Sequence, residues 1–301
     1  MVATAPALSS TRVWWSAVRP ATLAASVAPV LVGTAISVHE GGPRLGAGLL
    51  ALLVGIAMQI GVNFANDYSD HVRGADGPRR VGPVRAASSG VVEPADVRGA
   101  AIAAFGVAAA AGLVLSLITD WRLLVVGVAC LLAGWLYTGG PRPYGYLGLG
   151  EVFVFVFFGL VATLGTVYVE TLRITPLSVL IACAMGCFAT AILVLNNLRD
   201  LDTDLAARKL TLATRIGRGR TRTLLLLLVC AAFAIPIAAL VFKVAGVTIM
   251  LVQFAIPIAV VPVRTAFVAP PPSAPALVGA LKQMAIAELA YALLFSLGLL
   301  L

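Results

Sequence analysis

Gly46-Ala-Gly-Leu-Leu-Ala-Leu-Leu-Val-Gly-Ile-Ala-Met-Gln-Ile-Gly-Val-Asn63-Phe-Ala-Asn66-Asp67-Tyr-Ser-Asp70 is the stretch on which the fold turns. Its apolar part is long enough to cross a bilayer core, which takes about 20 helical residues. The run then ends in amides and acids. If the helix continues, Asn63, Asn66 or Asp67, and Asp70 recur at i, i+3/i+4 and i+7 and share one face. A span that delivers carboxylates at its end predicts both a membrane fold and a charged site at the membrane surface.

The rest of the chain agrees. Apolar residues make up 60% of its 301 positions and charged residues only 11%, and the mean hydropathy is +1.02. A soluble domain carries roughly a quarter charged residues, so water is not the main solvent. Nine apolar stretches are read at 20–38, 46–66, 99–118, 121–138, 148–169, 176–198, 221–241, 245–263 and 279–301. Each is expected as a helix, because lipid leaves backbone groups no other partner. Runs such as Leu224–Leu228 lack the period-two alternation of a membrane barrel. The first stretch is too long for a signal-peptide core and is expected as a retained span. The whole chain, 1–301, reads as a single all-α integral membrane domain with nine transmembrane helices.

Nine spans put every basic residue except Arg44, Arg122, Arg173 and Lys243 on the side of the N-terminus. That asymmetry predicts a multi-pass protein of the cell membrane with the N-terminus in the cytoplasm and the C-terminus outside. It also accounts for the net charge of +8 without nucleic acid, which would require a basic stripe on a soluble domain. The partner is the lipid bilayer. Cys130, Cys183, Cys187 and Cys230 all fall in apolar segments, with no spacing for zinc or a disulfide framework.

Six of the 13 acids lie in two short stretches, Asn63–Asp76 and Asn196-Asn197-Leu-Arg-Asp200-Leu-Asp202-Thr-Asp204. Asn196, Asp200 and Asp204 again share a helical face. Both clusters sit at the cytoplasmic ends of spans, the second and the sixth. Carboxylates stacked on one face repel, and a divalent cation is the economical compensation. Mg²⁺ takes one or two carboxylates, water and substrate phosphates, so Asp67, Asp70, Asp200 and Asp204 are the candidate ligands, with Asn66 beside them. A departing diphosphate also needs cations. Lys209 is the first choice, and Arg79, Arg80 and Arg85 are further candidates. Arg215, Arg218, Arg220 and Arg222 are assigned to topology.

These paired segments resemble the UbiA superfamily of membrane prenyltransferases, whose pattern of Asn-Asp-x-x-Asp and Asp-x-x-x-Asp falls on Asn66, Asp67, Asp70 and on Asp200, Asp204. Within it, the chain is most similar to the branch that prenylates 1,4-dihydroxy-2-naphthoate. The stretches that carry this likeness are Trp15–Leu23, Asn63–Asp70 with Arg80-Val-Gly-Pro83, Tyr137-Thr-Gly-Gly-Pro141 with Gly145-Tyr-Leu-Gly-Leu-Gly-Glu151, and Asn196–Asp200 with Lys209–Leu212. The resemblance implies nine helices around a central cavity, Mg²⁺ as cofactor, and a prenyl diphosphate and the naphthoate as substrates. It further implies loss of CO₂ and a product of the demethylmenaquinol type.

On this likeness Asn63, Asn66, Arg79, Arg80, Tyr137, Glu151, Asn196 and Asn197 are the candidate substrate contacts. Glu151 either orients the aromatic substrate or caps its helix. Tyr68, Tyr137, Phe153, Phe155 and Phe158 are candidates for a dry aromatic wall. Two positions depart from the family. Arg208 stands where Gly usually precedes the lysine, and Asp76 follows Asp70 at a spacing of six rather than four, which leaves it outside the direct ligand set. A relative acting on 4-hydroxybenzoate, and a secondary transporter, are the alternatives.

Overall fold

The computed structural model describes residues 9–74, 84–268 and 274–301. Every regular element among them is helical: α1 Ser10–Val18, α2 Ala24–His39, α3 Leu45–Val72, α4 Pro94–Ile118, α5 Leu123–Leu136, α6 Gly150–Thr171, α7 Pro176–Ala206, α8 Leu212–Val241, α9 Val247–Phe267 and α10 Ala274–Leu300. This is the all-α membrane class expected. The number of full spans differs. Among the described residues seven helices are long and apolar enough to cross a membrane, and eight if α1 and α2, bent by 45°, count as one span.

The bend has a local cause. Arg19 adopts φ 54°, ψ 67°, and Pro20 opens the short turn Pro20–Thr22, so helical φ/ψ cannot continue through this point. The fourth apolar stretch forms only the 14-residue α5. That is about 21 Å of helix against a hydrocarbon core of about 30 Å, so α5 does not span alone.

Length also places the acids. The 28 residues of α3 and the 31 of α7 reach about 42 and 46 Å. Their last two turns therefore extend past the apolar core, and Asp67, Asp70, Asp200 and Asp204 sit on that overhang. α7 starts at a capping box between Thr175 and Ser178, with Pro176 in its first turn.

α7 is the central helix: 78% of its most apolar stretch is buried, against 28–33% for α3, α4, α6, α8 and α9. Around it, α2, α8, α9 and α10 build the larger core, centred on the mutually edge-packed rings of Phe188, Phe233 and Tyr291. A smaller core joins α1, α3 and α4, where Trp14 packs edge-on against Phe64 at 5.5 Å. α6 meets α7 through glycine. A Cβ on Gly159 would lie 2.2 Å from the Gly186 Cα, the close approach that small residues allow in membranes. A π-helical segment, Phe155–Val161, lies at this contact and rotates the flanking aromatics relative to an α-helix.

Candidate functional site

The two acidic overhangs meet. Asp70, at the end of α3, accepts hydrogen bonds from Arg85 (2.8 Å) and from the Tyr146 hydroxyl (2.7 Å). Lys209, just after α7, brings its Nζ to 3.6 Å from the same carboxylate. The ammonium also lies 4.8 Å from the centre of the Tyr146 ring, whose surroundings include Arg73 at 5.6 Å. Burial raises the Tyr146 phenol above its ordinary value, and the adjacent Asp70 carboxylate adds to the shift. The phenol therefore stays a donor.

Asp67 is used differently. It is buried, and its carboxylate accepts the backbone N–H groups of Ala86 (2.8 Å) and Ala87 (3.4 Å), which ties the segment before α4 to the end of α3. On α7, Asp200 is gripped by Arg199, which donates through Nε at 2.7 Å, and Arg199 also donates to the Asn196 side-chain Oδ1 at 2.9 Å. Asp204 is buried, accepts no hydrogen bond on its carboxylate from the described residues, and has Lys209, Asp200 and Asp70 as charged neighbours. Asp202 points outward to Arg218 at 3.0 Å. Arg79, Arg80 and Asp76 lie outside the described residues.

The turn that aims Lys209 explains the family departure at position 208. Arg208 has φ 55°, and the Lys209 N–H closes the helix end onto the Asp204 carbonyl at 2.8 Å. A left-handed residue at this point is the ordinary helix stop, for which Gly is the cheapest choice.

Behind the acids lies a layer of amides. Asn63 donates to the Val18 carbonyl (2.8 Å) and to Thr22 (3.1 Å), and accepts from Gln59 (3.1 Å). It thereby pins the bend after α1 to α3. Asn66 accepts from Thr138 at 2.6 Å. Asn197 donates to Glu151 at 2.9 Å. Glu151 also stands in the first turn of α6, where negative charge is favoured, so its place is compatible with both expected roles.

Beyond this layer opens a cavity of about 470 Å³, walled by α2 to α7 and mainly apolar. Asn63, Asn66, Asn196 and Tyr137 line its polar end, and Phe153, Phe157 and Phe158 part of its wall. Tyr144 stacks on Phe153 at 3.9 Å. Phe155 and Tyr68 do not join them: Phe155 packs into the α7 core, and Tyr68 lies in an outer groove beside Arg98.

Among the described residues, no three His, Cys, Asp or Glu side chains stand close enough to hold a metal ion. The oxygen donors themselves suit Mg²⁺, and Asp204 has Asp70, Asp200 and Lys209 as charged neighbours. Reading the residues alone missed Tyr146, Thr138, Arg199 and the amides of Ala86 and Ala87. Tyr146, Thr138 and Arg199 each carried a signal, their place in the stretches that bear the family likeness; the amides of Ala86 and Ala87 carried none.

An apolar chamber capped at one end by charge defines the class, a multi-pass membrane protein built around an amphiphile. The chain belongs to the UbiA prenyltransferase family, whose model matches residues 26–287, and it is a prenyltransferase. It is 48% identical over 211 residues to the 1,4-dihydroxy-2-naphthoate octaprenyltransferase of Mycobacterium tuberculosis, covering 70% of this chain and 72% of the relative. It is 38% identical over 221 residues to the enzyme of that name from Escherichia coli, covering 71% and 72%. In fold it is similar to a UbiA homolog from Aeropyrum pernix, with a TM-score of 0.68, 15% identity and 92% and 96% of the two chains covered. A UbiA homolog from Archaeoglobus fulgidus bound to DMAPP and Mg²⁺ gives 0.65, 14%, 94% and 99%.

Proposed function

We infer that the protein transfers a polyprenyl group from a prenyl diphosphate to 1,4-dihydroxy-2-naphthoate with loss of CO₂, giving demethylmenaquinol for menaquinone synthesis. The observation that carries this reading is the meeting of Asp70 and Lys209 from two distant acidic segments, at the polar end of an aromatic-walled cavity. A diphosphate needs such a mouth and a prenyl chain such a cavity. The relatives named for 1,4-dihydroxy-2-naphthoate prenyl transfer support the choice of acceptor.

The cofactor this reading calls for is Mg²⁺, which Asp70, Asp200 and Asp204 would hold, with Asn66 and Asp67 beside them. When bound, it neutralises the diphosphate and favours ionisation of the allylic C–O bond. Lys209, with Arg79 and Arg80, steadies the charge on the leaving oxygen. Asn63, Asn196 and Asn197 order the polar end, and Tyr137, Phe153 and Phe158 shield the developing cation from water. The chain works as one membrane domain of the cell membrane, with its N-terminus and this mouth on the cytoplasmic side, in keeping with the distribution of Lys and Arg.

The test is purified protein incubated with prenyl diphosphate and either 1,4-dihydroxy-2-naphthoate or 4-hydroxybenzoate, with Mg²⁺ or with EDTA. Mg²⁺-dependent product with the naphthoate is expected. Product only with 4-hydroxybenzoate reassigns the acceptor, and none with either defeats the reading.

A further inference from the structure

Glu151 is a buried carboxylate with one oxygen engaged and the other left over. It is 5% exposed in the first turn of α6. Asn197 fixes its Oε1 at 2.9 Å, while Oε2 is buried with no hydrogen-bond partner among the described residues. Leaving a carboxylate oxygen unmatched in a low-dielectric interior is costly, and such groups at membrane depth are characteristically functional.

Its surroundings point toward the cavity. Tyr137, from the end of α5, is a cavity-wall residue and lies within electrostatic reach of Glu151. A Cβ on Gly150 would stand 3.6 Å from the Tyr137 hydroxyl, so that hydroxyl sits against the first residues of α6. The flanking residues Phe153 and Val154, and Asn196 beside Asn197, all line the cavity. The polar side chains set against Glu151 are Tyr137, which follows α5, and Asn197 and Thr190 from α7, none of them a charge; Asp70 and Asp204 are charged neighbours of Tyr137 itself. Among the described residues no cation satisfies Oε2, in contrast to Asp70 and Asp200.

We propose that Glu151 is the proton acceptor for the ring hydroxyl of the aromatic acceptor, reached through the Tyr137 hydroxyl and held in place by Asn197. This deepens the proposed function and rests on its acceptor being a hydroxylated aromatic carboxylate. The ring carbon bearing the carboxylate forms a bond to the allylic carbon, and the allylic C–O bond breaks with its electron pair leaving on diphosphate. The adjacent ring hydroxyl becomes a carbonyl as its proton passes to Tyr137, whose own proton passes to Glu151. The bond to the carboxylate then breaks, CO₂ leaves, and the released pair flows to the carbonyl oxygen. That oxygen takes the proton back along the same path. The proton is borrowed and returned, so naphthoate and prenyl diphosphate yield prenylated ring, CO₂ and diphosphate with no net proton change. Tyr137 touches substrate; Glu151 acts through it, and Asn197 is a positioning residue.

The experiment compares wild type, Glu151→Gln, Tyr137→Phe and Asn197→Ala in prenyl transfer to the naphthoate across pH 5 to 9. Glu151→Gln keeps the size and the Asn197 contact, so folding should be retained. Expected are a fall in kcat of about 100-fold, an unchanged KM for prenyl diphosphate, and loss of the acidic limb that the wild-type pH profile shows. Tyr137→Phe should lose kcat in the same way, and Asn197→Ala about 10-fold while keeping the limb. A Glu151→Gln enzyme within threefold of wild type with the limb intact overturns the proposal. So does a rise in the KM for prenyl diphosphate as the main effect. Wild type inactive with the naphthoate is a separate result, which defeats the proposed function itself.

Discussion

Lys209 Nζ stands 3.6 Å from Asp70 Oδ1, across 139 positions of sequence and between the ends of two different helices. This contact makes one site of two acidic segments. Asp70→Asn should lower kcat for prenyl transfer by about 10²- to 10³-fold, and Lys209→Ala by about 10²-fold, both assayed at saturating Mg²⁺. Because the two act as a unit, the double variant should be little worse than either single one. A fully additive loss would show that they work apart.

Asp67 serves the fold as well as the site. Its bonds to the Ala86 and Ala87 amides are charge-assisted, a type worth about 1.5–3 kcal/mol each. Asp67→Ala should therefore free the segment before α4. Hydrogen exchange at residues 84–92 should quicken while the amides of α7 keep their protection. Unchanged exchange there would count against the tether.

Arg208 occupies a left-handed conformation at φ 55°, which costs a non-glycine residue about 1–2 kcal/mol. Arg208→Gly relieves that strain, while the glycine loses more freedom on folding. The balance should be a thermal midpoint equal to wild type or a few degrees higher. A β-branched Arg208→Val should be destabilised by about 1 kcal/mol or more, read from melting in detergent.

The α6–α7 crossing tolerates no side chain at Gly159, where a Cβ would fall 2.2 Å from Gly186. Gly159→Ala should push the helices apart and destabilise by about 1–3 kcal/mol. Because the π-helical segment begins at Phe155, the aromatic wall should shift too, raising the KM for prenyl diphosphate. Gly106 on the exposed face of α4, away from the cavity and with nothing near its Cβ position, should accept Ala without effect on the KM and is the control.

Tyr146 donates to Asp70, and its ionisation is raised by burial first and by that carboxylate second. The neutral form is thus favoured by folding. Its contribution is fully present below the ordinary phenol value of about 10 and is lost as pH rises through the higher folded value. Tyr146→Phe should be destabilised by about 1 kcal/mol, with the same gap from wild type at pH 7 and pH 9. A gap that closes by pH 9 would contradict the raised ionisation.

The sequence made the membrane class, the approximate spans and the paired acids readable. All three depend on local periodicity: twenty apolar residues in a row, or carboxylates at i, i+4 and i+8. It did not show that α5 is only 14 residues long or that α1 and α2 meet at a 45° bend. Helix length is limited by where φ/ψ must change, and composition does not carry that.

What each acid holds was decided by the tertiary structure. Asp67, Asp70 and Asp200 look alike in sequence, yet one binds backbone amides, one Arg85 and Tyr146, and one Arg199. Phe153 and Phe155 are two residues apart, yet one lines the cavity and the other packs on α7. A helical period places a side chain on a face, whereas its partner is set by whichever distant segment packs against that face. So the sequence alone determined a membrane helix bundle with acids at two helix ends. Only packing between residues scores of positions apart made those acids one site and left Glu151 facing a cavity-wall tyrosine.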